Sequence, residues 1–454
     1  MTEGNIARLL IAFAIPLLLG NAFQQLYNMV DTWVVGNFVS NEAFSAVGTV
    51  GPIINTLISL FMGFSSGAGV VIAQYYGAGK REEASRTVHT AVVMTAIFAV
   101  VLSTAGVLLR NTFLHFMRTP DNVLPEARTY LLIFFSGVGS LMFYNIGAAT
   151  LQAIGDSKRP FYFLATAATL NIIGDLTFVL KFHMGVEGVA LATILAMLVS
   201  AVLVFRTLFT TNTCVRIHLS KLRIDPVLLK QIFRMGIPAA AQMAIISFSN
   251  VFVQGYINQF GADVMSGWTS YAKIDALVFL PIQSIALATT TFVGQNIGSG
   301  QIPRARDGVR TASRLCLVII LVLALPVMVF APNLVAFFNA KPEVVMYGTM
   351  ILRWMTPFYL FASSANIHNA GLRGSGDART PMMVTIFCYV IFRQIYLFTV
   401  SHFISNTLLP LALSYPAGWI LCTAIMAVYY RKANFGHKSV AARDLESMDD
   451  SSMM

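Results

Sequence analysis

The stretch IGAATLQAIGDSKRP at 146–160 occurs a second time, in altered form, as IHNAGLRGSGDARTP at 367–381. The same offset of 221 or 222 positions aligns further pairs, which are Pro16 with Pro238, Asn28 with Asn250, and Gly155 with Gly376. Self-similarity on this scale indicates one structural unit used twice. We therefore expect two homologous halves.

Each copy of the stretch ends in a Gly-Asp-basic-Pro turn, at 155–160 and 376–381. Glycine permits a tight turn, and proline suits the first turn of the helix that follows. A carboxylate just before a helix start most often caps free backbone N–H groups. We interpret Asp156 and Asp377 as scaffold residues in loops on the inner side of a membrane.

The composition away from these turns is that of a membrane protein. Hydrophobic residues make up 56% of the 454 positions and charged residues only 11%, whereas a soluble domain carries about 25% charged residues. Apolar runs long enough to cross about 30 Å of hydrocarbon recur along the chain. They are too long and too uniformly apolar for the alternating strands of a β-barrel.

The sequence predicts an all-α integral membrane protein with twelve transmembrane helices in two pseudo-symmetric six-helix bundles. The predicted spans are 6–36, 43–76, 87–109, 128–155, 160–181, 186–210, 227–260, 263–297, 308–338, 344–375, 381–404 and 406–431. The corresponding domains are an N-terminal lobe at 1–206, a basic connector at 207–226, a C-terminal lobe at 227–432 and a disordered cytoplasmic tail at 433–454.

The net charge of +10 could suggest nucleic acid, but the basic residues are concentrated in the loops on one side of the predicted spans. This positive-inside bias places both termini in the cytoplasm of a multi-pass protein of the cell membrane. We expect the lipid bilayer, and no nucleic acid, as a partner. When the basic residues at the ends of spans are counted with the adjoining loops, only Lys273 and Arg393 are left in the interior of the membrane.

Cofactor and enzyme motifs are missing from the sequence. The four cysteines show no CxxC spacing, and no GxGxxG, Walker lysine loop or HExxH is present. We therefore interpret the cysteines as packing residues and expect neither a nucleotide-driven pump nor a metalloenzyme. No cofactor is expected other than a coupling ion.

Ionisable groups inside hydrocarbon are costly, so they are candidates for function. In span 1, Asn21, Gln24, Asn28 and Asp31 are three or four residues apart, which places them on one helical face. Such a face can be a hydrogen-bonded seam between helices. The carboxylate within it favours a functional interpretation.

Span 5 carries Asn171 and Asp175 on one face, and span 6 offers Thr193 at a similar depth. Together with Asp31, these groups can collect a hard cation such as Na⁺ through oxygen ligands, or share a proton between two carboxylates. Either would couple transport to an ion gradient. The residues do not distinguish the two ions.

The second half does not repeat this arrangement, because the position that matches Asp31 is Val253. Its ionisable residues are further cavity candidates. Lys273 and Asp275 do not share a helical face and should have separate partners. His368 can relay protons or complete a hydrogen-bonded core, and Arg393 can meet an acidic substrate group or neutralise a carboxylate. Asn145 in span 4 completes the candidate set.

Several motifs together resemble the multidrug and toxic compound extrusion (MATE) family over about 5–432. They are Pro16, QLYNMVDTWVVG (25–36), QYYGAGK (74–80), the two Gly-Asp turns, NIIGD (171–175) and GVALAT (188–193). The resemblance implies two six-helix lobes that exchange cationic, amphipathic drugs or metabolites for Na⁺ or H⁺. It implies no enzymatic activity and a functional monomer.

Carried over by position, the resemblance implies a cation site at Asp31, Asn171, Asp175 and Thr193. It also places Tyr130 near that cavity and makes Pro16 the point at which span 1 bends. Relatives with a second ion site carry a glutamate in span 7 and an aspartate in span 10. Here Gln242 and Asn366 stand in those spans, so the chain resembles the DinF-like branch, which couples through the N-terminal lobe.

Two other classes of function compete with ion-coupled export. A flippase for lipid-linked precursors, from the same superfamily, would use several Lys or Arg for phosphates, and Lys273 and Arg393 are the two intramembrane cations available. A membrane enzyme acting on lipids would need acidic, His or Ser groups clustered near one interface. The sequence shows no such cluster, and drug or metabolite export remains the leading hypothesis.

Overall fold

The computed structural model describes residues 1–117, 119–433, 435, 436 and 439. Its α-helices are α1 Ile6–Phe38, α2 Asn41–Gly77, α3 Arg81–Phe116, α4 Leu124–Ala153, α5 Lys158–Leu176, α6 Val186–Thr210, α7 Pro226–Asn258, α8 Ala262–Gly298, α9 Ile302–Val329, α10 Ala331–Phe338, α11 Pro342–Met355, α12 Tyr359–Gly374, α13 Arg379–Ile386, α14 Arg393–Thr399, α15 Leu408–Ala412 and α16 Ser414–Lys432. Short π-helical segments lie at Thr177–Lys181, Phe387–Phe392 and Val400–Ile404. The predicted disordered tail at 433–454 falls almost wholly outside the described residues.

Eleven helical segments among the described residues are long and apolar enough to cross a membrane. The remaining predicted span, 344–375, consists of α11 and α12 with a 3₁₀ turn at Thr356–Phe358 between them. Pro357 lies in that turn and removes a backbone donor from the helix. The all-helical class is confirmed, with the tenth span interrupted.

The ninth predicted span, 308–338, is also divided in the structure. It begins earlier, at Ile302, and breaks at Phe330 between α9 and α10. Pro332 follows the break, and inside a helix its ring would clash with the carbonyl four residues before it, which favours a kink or a break. That carbonyl, of Met328, instead accepts a hydrogen bond from Arg353 Nε at 3.2 Å.

The chain forms two compact units. The N-terminal unit is Ile15–Ile237, and the C-terminal unit is Met1–Ala14 with the described part of Pro238–Met454. The boundaries between the two units therefore lie within α1 and within α7, whereas the sequence predicts the division between the lobes at the connector 207–226. Both changes fall within one turn of the equivalent prolines Pro16 and Pro238.

In the N-terminal unit, α4 packs against α2, α3 and α6, and α5 packs against α6. The first part of α7 belongs to this unit because Gly67 of α2 lets the two backbones meet at Gly236. The connector also packs here, since Val215 and Ile217 are buried beside Val88 of α3. In the C-terminal unit, α8 packs against α9, α11 and α12, and α12 packs against α16.

Both Gly-Asp turns have the predicted local structure. Gly155 and Gly376 have φ of 96° and 97°, a region that disfavours side chains. Asp156 Oδ1 accepts hydrogen bonds from the backbone N–H groups of Lys158 and Arg159 at 3.2 and 3.1 Å. In the second copy, Asp377 Oδ1 accepts one from Thr380 N at 3.2 Å. The capping interpretation of both carboxylates is confirmed.

Candidate functional site

Three helices of the N-terminal unit bring the predicted cation-site residues together. The Asp31 carboxylate of α1 lies near Asp175 and Asn171 of α5 and near Thr193 of α6. Asn171 Nδ2 donates to Thr193 Oγ1 at 3.3 Å, and Thr193 Oγ1 donates to the Val189 carbonyl at 3.0 Å. The spacing of 171 and 175 places both side chains on the face of α5 that meets α1.

The centre of this cluster is rich in acceptors and poor in donors. Asp175 is 0% exposed and Asn171 is 2% exposed. Four buried oxygens of the cluster have no hydrogen-bond partner among the described residues, namely Asp31 Oδ1, Asn171 Oδ1, Asp175 Oδ1 and Asp175 Oδ2. Ionised carboxylates only accept, so two of them in contact need a proton or a cation between them. These oxygens fit either ion.

Two buried tyrosines border the carboxylates. Tyr130 of α4 is 8% exposed and lies close enough to interact electrostatically with Asp31 and Asp175. Tyr27 of α1 is 5% exposed and lies near Gln24 and Asp31. The sequence reasoning missed Tyr27. Its position, three residues after Gln24 and four before Asp31, was the signal that could have found it.

Two other candidates of the N-terminal unit lie outside the carboxylate contacts. Asn28 is exposed. Asn145 of α4 is half-buried and donates to the Leu141 carbonyl of its own helix at 2.8 Å. Pro16 is buried within α1, which continues as one helix through it. A bending role for Pro16 remains a prediction.

In the C-terminal unit, the candidates of α8 have separate partners, as predicted. Lys273 is exposed, and its ammonium lies 5.3 Å from the centre of the Phe338 ring. Asp275 Oδ1 accepts a hydrogen bond from the Tyr271 hydroxyl at 3.2 Å. Unlike Asp175, this carboxylate has a donor.

His368 of α12 is satisfied by its own helix. Its Nδ1 lies 2.7 Å from the Ser364 carbonyl, which can only accept, so Nδ1 carries the proton of that bond. The ring meets Tyr430 edge to face at 5.0 Å. This environment favours the hydrogen-bonded core over the proton relay.

Arg393, 3% exposed, begins α14. Its Nη2 donates to Ser249 Oγ at 2.7 Å and to Asn250 Oδ1 at 2.9 Å. The guanidinium lies 4.7 Å from the centre of the Tyr415 ring. It forms no ion pair with a carboxylate among the described residues. The predicted neutralisation of an intramembrane carboxylate is therefore not what the structure shows.

Soft metal chemistry has no support in the described part of the chain. It contains no cluster of three or more His, Cys, Asp or Glu side chains placed to hold a metal. All four cysteines are free, and Cys316, Cys388 and Cys422 are buried in the core. Their interpretation as packing residues agrees with these positions.

The family model MatE matches the chain twice, at 16–177 and at 238–399. The chain belongs to the MATE family. The two matches are of equal length and are offset by 222 residues, which confirms the internal duplication read from the sequence. As a member of this family of efflux transporters, the protein is a multi-pass membrane transporter.

Relatives and solved structures agree with this assignment. The chain is 27% identical over 434 residues to the probable multidrug resistance protein YpnP of Bacillus subtilis, covering 95% of this chain and 96% of that protein. It is 28% identical over 388 residues to the probable multidrug resistance protein NorM of Thermotoga maritima, covering 84% and 82%. The structure of a MOP superfamily transporter from Pyrococcus furiosus matches with a TM-score of 0.90 at 23% identity, covering 95% of this chain and 96% of that one. That likeness confirms the MATE fold.

Proposed function

We propose that this MATE transporter is a secondary active antiporter that exports cationic amphipathic drugs or metabolites in exchange for Na⁺ or H⁺. The observation that carries the proposal is the proximity of Asp31 and Asp175 in a buried cluster where four oxygens have no donor. Relatives named as probable multidrug resistance proteins support the drug substrates. They also favour drug efflux over the flippase alternative.

The coupling ion would be held by oxygens alone. Na⁺ would take the free oxygens of Asp31, Asn171 and Asp175, and Thr193 Oγ1 would add a hydroxyl oxygen as a further ligand. H⁺ would instead bridge the two carboxylates. Either ion removes the repulsion between Asp31 and Asp175, so its binding stabilises the close approach of α1 and α5.

Loading and release of the ion can then change the position of α1. Asp31 is the only one of the four residues on α1, so the attraction of α1 to the rest of the site depends on the bound ion. An ion that favours one arrangement shifts the population towards it by its difference in affinity for the two. We infer that this is how the ion gradient drives export.

The test is ion-driven efflux from proteoliposomes with Asp31→Asn. An amide can neither share a proton nor offer two charged oxygens, so gradient-driven efflux should fall to the rate of empty liposomes. Asn37→Ala is the matched control on the same helix, and it should keep most of the activity because Asn37 is exposed and donates to the Trp33 carbonyl of its own helix at 2.8 Å. Full ion-dependent efflux by correctly inserted Asp31→Asn would disprove the site. Collapsing the Na⁺ and H⁺ gradients separately identifies the ion.

A further inference from the structure

The duplication gives the cation site an equivalent in the C-terminal unit. The offset is 221 where α5 begins at Lys158 and α13 at Arg379, and it is 222 where α6 runs from Val186 to Thr210 and α15 with α16 runs from Leu408 to Lys432. The π-helical segment Phe387–Phe392 accommodates the extra residue, so the offset of 222 applies from Arg393 onward. The four cation-site residues therefore have equivalents, which are Val253 for Asp31, Arg393 for Asn171, Leu397 for Asp175 and Tyr415 for Thr193. Both carboxylates have become buried apolar residues.

The geometry of the site is retained while its charge is reversed. In the N-terminal unit, Asn171 donates to Thr193 at 3.3 Å. At the equivalent place in the C-terminal unit, the Arg393 guanidinium lies 4.7 Å from the centre of the Tyr415 ring. The N-terminal unit thus places two carboxylates at this site. The C-terminal unit has neither of them and places the Arg393 guanidinium there instead.

The charge of Arg393 is incompletely compensated. Its neutral partners are Ser249 and Asn250, and its Nε has no hydrogen-bond partner among the described residues. A buried charge is expensive unless an opposite charge accompanies it. Asn250 is exposed and Tyr415 is half-buried, so a ligand could reach the guanidinium past these two side chains.

A second arginine contacts the same face of α7. Arg373 Nη2 donates to Gln242 Oε1 at 3.1 Å and to Asn369 Oδ1 at 3.4 Å. Gln242 and Ser249 are seven residues apart, which is two helical turns or about 10 Å along α7. Like Arg393, Arg373 forms no ion pair with a carboxylate of the described residues. This face of α7 is therefore lined with positive charge at two depths.

The nearby carboxylate and rings suit the other end of a ligand. Asp275 is connected to Tyr415 through neighbouring rings. The Tyr271 hydroxyl donates to Asp275 Oδ1 at 3.2 Å, and the Tyr271 ring lies 5.2 Å from that of Trp268. Trp268 lies 5.7 Å from the Tyr415 ring and Trp419 lies 6.1 Å from it, between ring centres. Aromatic faces accept flat and cationic groups.

We propose that the C-terminal unit recognises a zwitterionic amphiphile, holding its anionic group on the Arg393 guanidinium and its cationic group near Asp275. The inference rests on the proposed function for the direction of transport, and it narrows the substrates from cations to molecules that also carry a carboxylate or a similar anion. Arginine suits this role because its planar fork can bind a carboxylate through two parallel hydrogen bonds.

The test compares two ligands that differ in one charge, a rhodamine with a free carboxylate and its methyl ester. Equilibrium binding to the purified protein is measured by fluorescence anisotropy without an ion gradient. The acid should bind wild-type protein about 10-fold or more tightly than the ester, as expected for a charge-assisted hydrogen bond. Arg393→Gln should weaken binding of the acid by about 10- to 100-fold and change binding of the ester by less than about 3-fold.

Further variants separate recognition from structure. Arg393→Lys keeps the charge but loses the fork, so it should weaken the acid partly and serves if Arg393→Gln does not fold. Asp275→Asn should weaken both ligands, because both carry the cation. Lys432→Gln, which removes an exposed charge from the same unit, should change neither.

Equal affinity of wild-type protein for acid and ester would overturn the proposal. So would an equal loss of both ligands in Arg393→Gln and Arg393→Lys, which would indicate a structural role. Because binding is measured at equilibrium, a protein that prefers the acid but shows no gradient-driven efflux would refute the proposed function and leave this inference standing.

Discussion

Asp175→Asn should make the protein more stable while abolishing coupled transport. In wild-type protein both Asp175 oxygens are buried without a donor, and the neighbouring Asp31 Oδ1 also lacks one. The asparagine amide removes one negative charge and supplies a donor directed at Asp31. The perturbation changes no volume, so packing costs are small.

The expected gain follows from the hydrogen bond that the amide forms. A hydrogen bond to a charged group contributes about 1.5–3 kcal/mol to stability, and removal of the like-charge repulsion adds to it. For a unit of the size of Ile15–Ile237, each kcal/mol raises the unfolding temperature by roughly 2–4 °C. We therefore expect an increase of several degrees.

The assay is thermal unfolding of purified protein in detergent, repeated over a range of Na⁺ concentration and pH. A bound Na⁺ or a shared proton satisfies the same oxygens as the amide does. The advantage of Asp175→Asn over wild type should therefore shrink as the coupling ion is added, because that ion stabilises wild type alone. Shrinkage with Na⁺ at constant pH indicates Na⁺ coupling, and shrinkage with acid alone indicates H⁺.

Asp275→Asn is the matched control, because that carboxylate already accepts a hydrogen bond from Tyr271 at 3.2 Å. It should not gain stability. The reasoning is refuted if Asp175→Asn lowers the unfolding temperature, or if its advantage over wild type is independent of both ions.

Two other predictions concern packing and topology. Gly67→Ala would place a Cβ 2.5 Å from the backbone nitrogen of Gly236. It should therefore destabilise the packing of α2 against α7 by about 1–3 kcal/mol, measured by thermal unfolding. The control is Gly51→Ala on the same helix, whose Cβ would meet no atom within 4 Å and which should be neutral. Cys214 is the only half-buried cysteine of the four, so a membrane-impermeant maleimide should label it alone, in inverted vesicles but not in intact cells. Burial raises the pKa of the Cys214 thiol, and labelling should therefore accelerate from about pH 7 to pH 9; labelling of intact cells would reverse the predicted orientation.

Periodicity and the cost of polar groups in hydrocarbon were sufficient to predict which side chains lie together, and their binding of the coupling ion stays a prediction. Asn171 and Asp175 share a face of α5 because they are four residues apart, and Asp31 must avoid lipid. A common polar cluster satisfies both conditions. The structure places these side chains together with Thr193. The capped Gly-Asp turns were predictable for a similar reason, because glycine and aspartate each have one strongly preferred role there.

Contacts between elements distant in sequence could not be predicted in the same way. Hydropathy shows that α1 and α7 are spans but not that each changes unit near its proline. The break at Thr356–Phe358 was missed because a single turn hardly alters the apolar pattern of the span. The partners of Arg393 were also hidden, since Ser249 and Asn250 lie more than 140 positions earlier in the chain.

The comparison of the two copies separates residues that the fold needs from residues that serve function. Gly155 and Gly376 occupy equivalent places and have φ of 96° and 97°, so the fold of both units depends on these glycines. If the Asp31–Asp175 contact were also needed for folding, the second copy could not keep the arrangement with Val253 and Leu397, which are buried at 1% and 0% exposure. The carboxylates are therefore dispensable for the fold. The gain in stability expected of Asp175→Asn is the part of the free energy of unfolding that the protein loses by keeping both carboxylates for function.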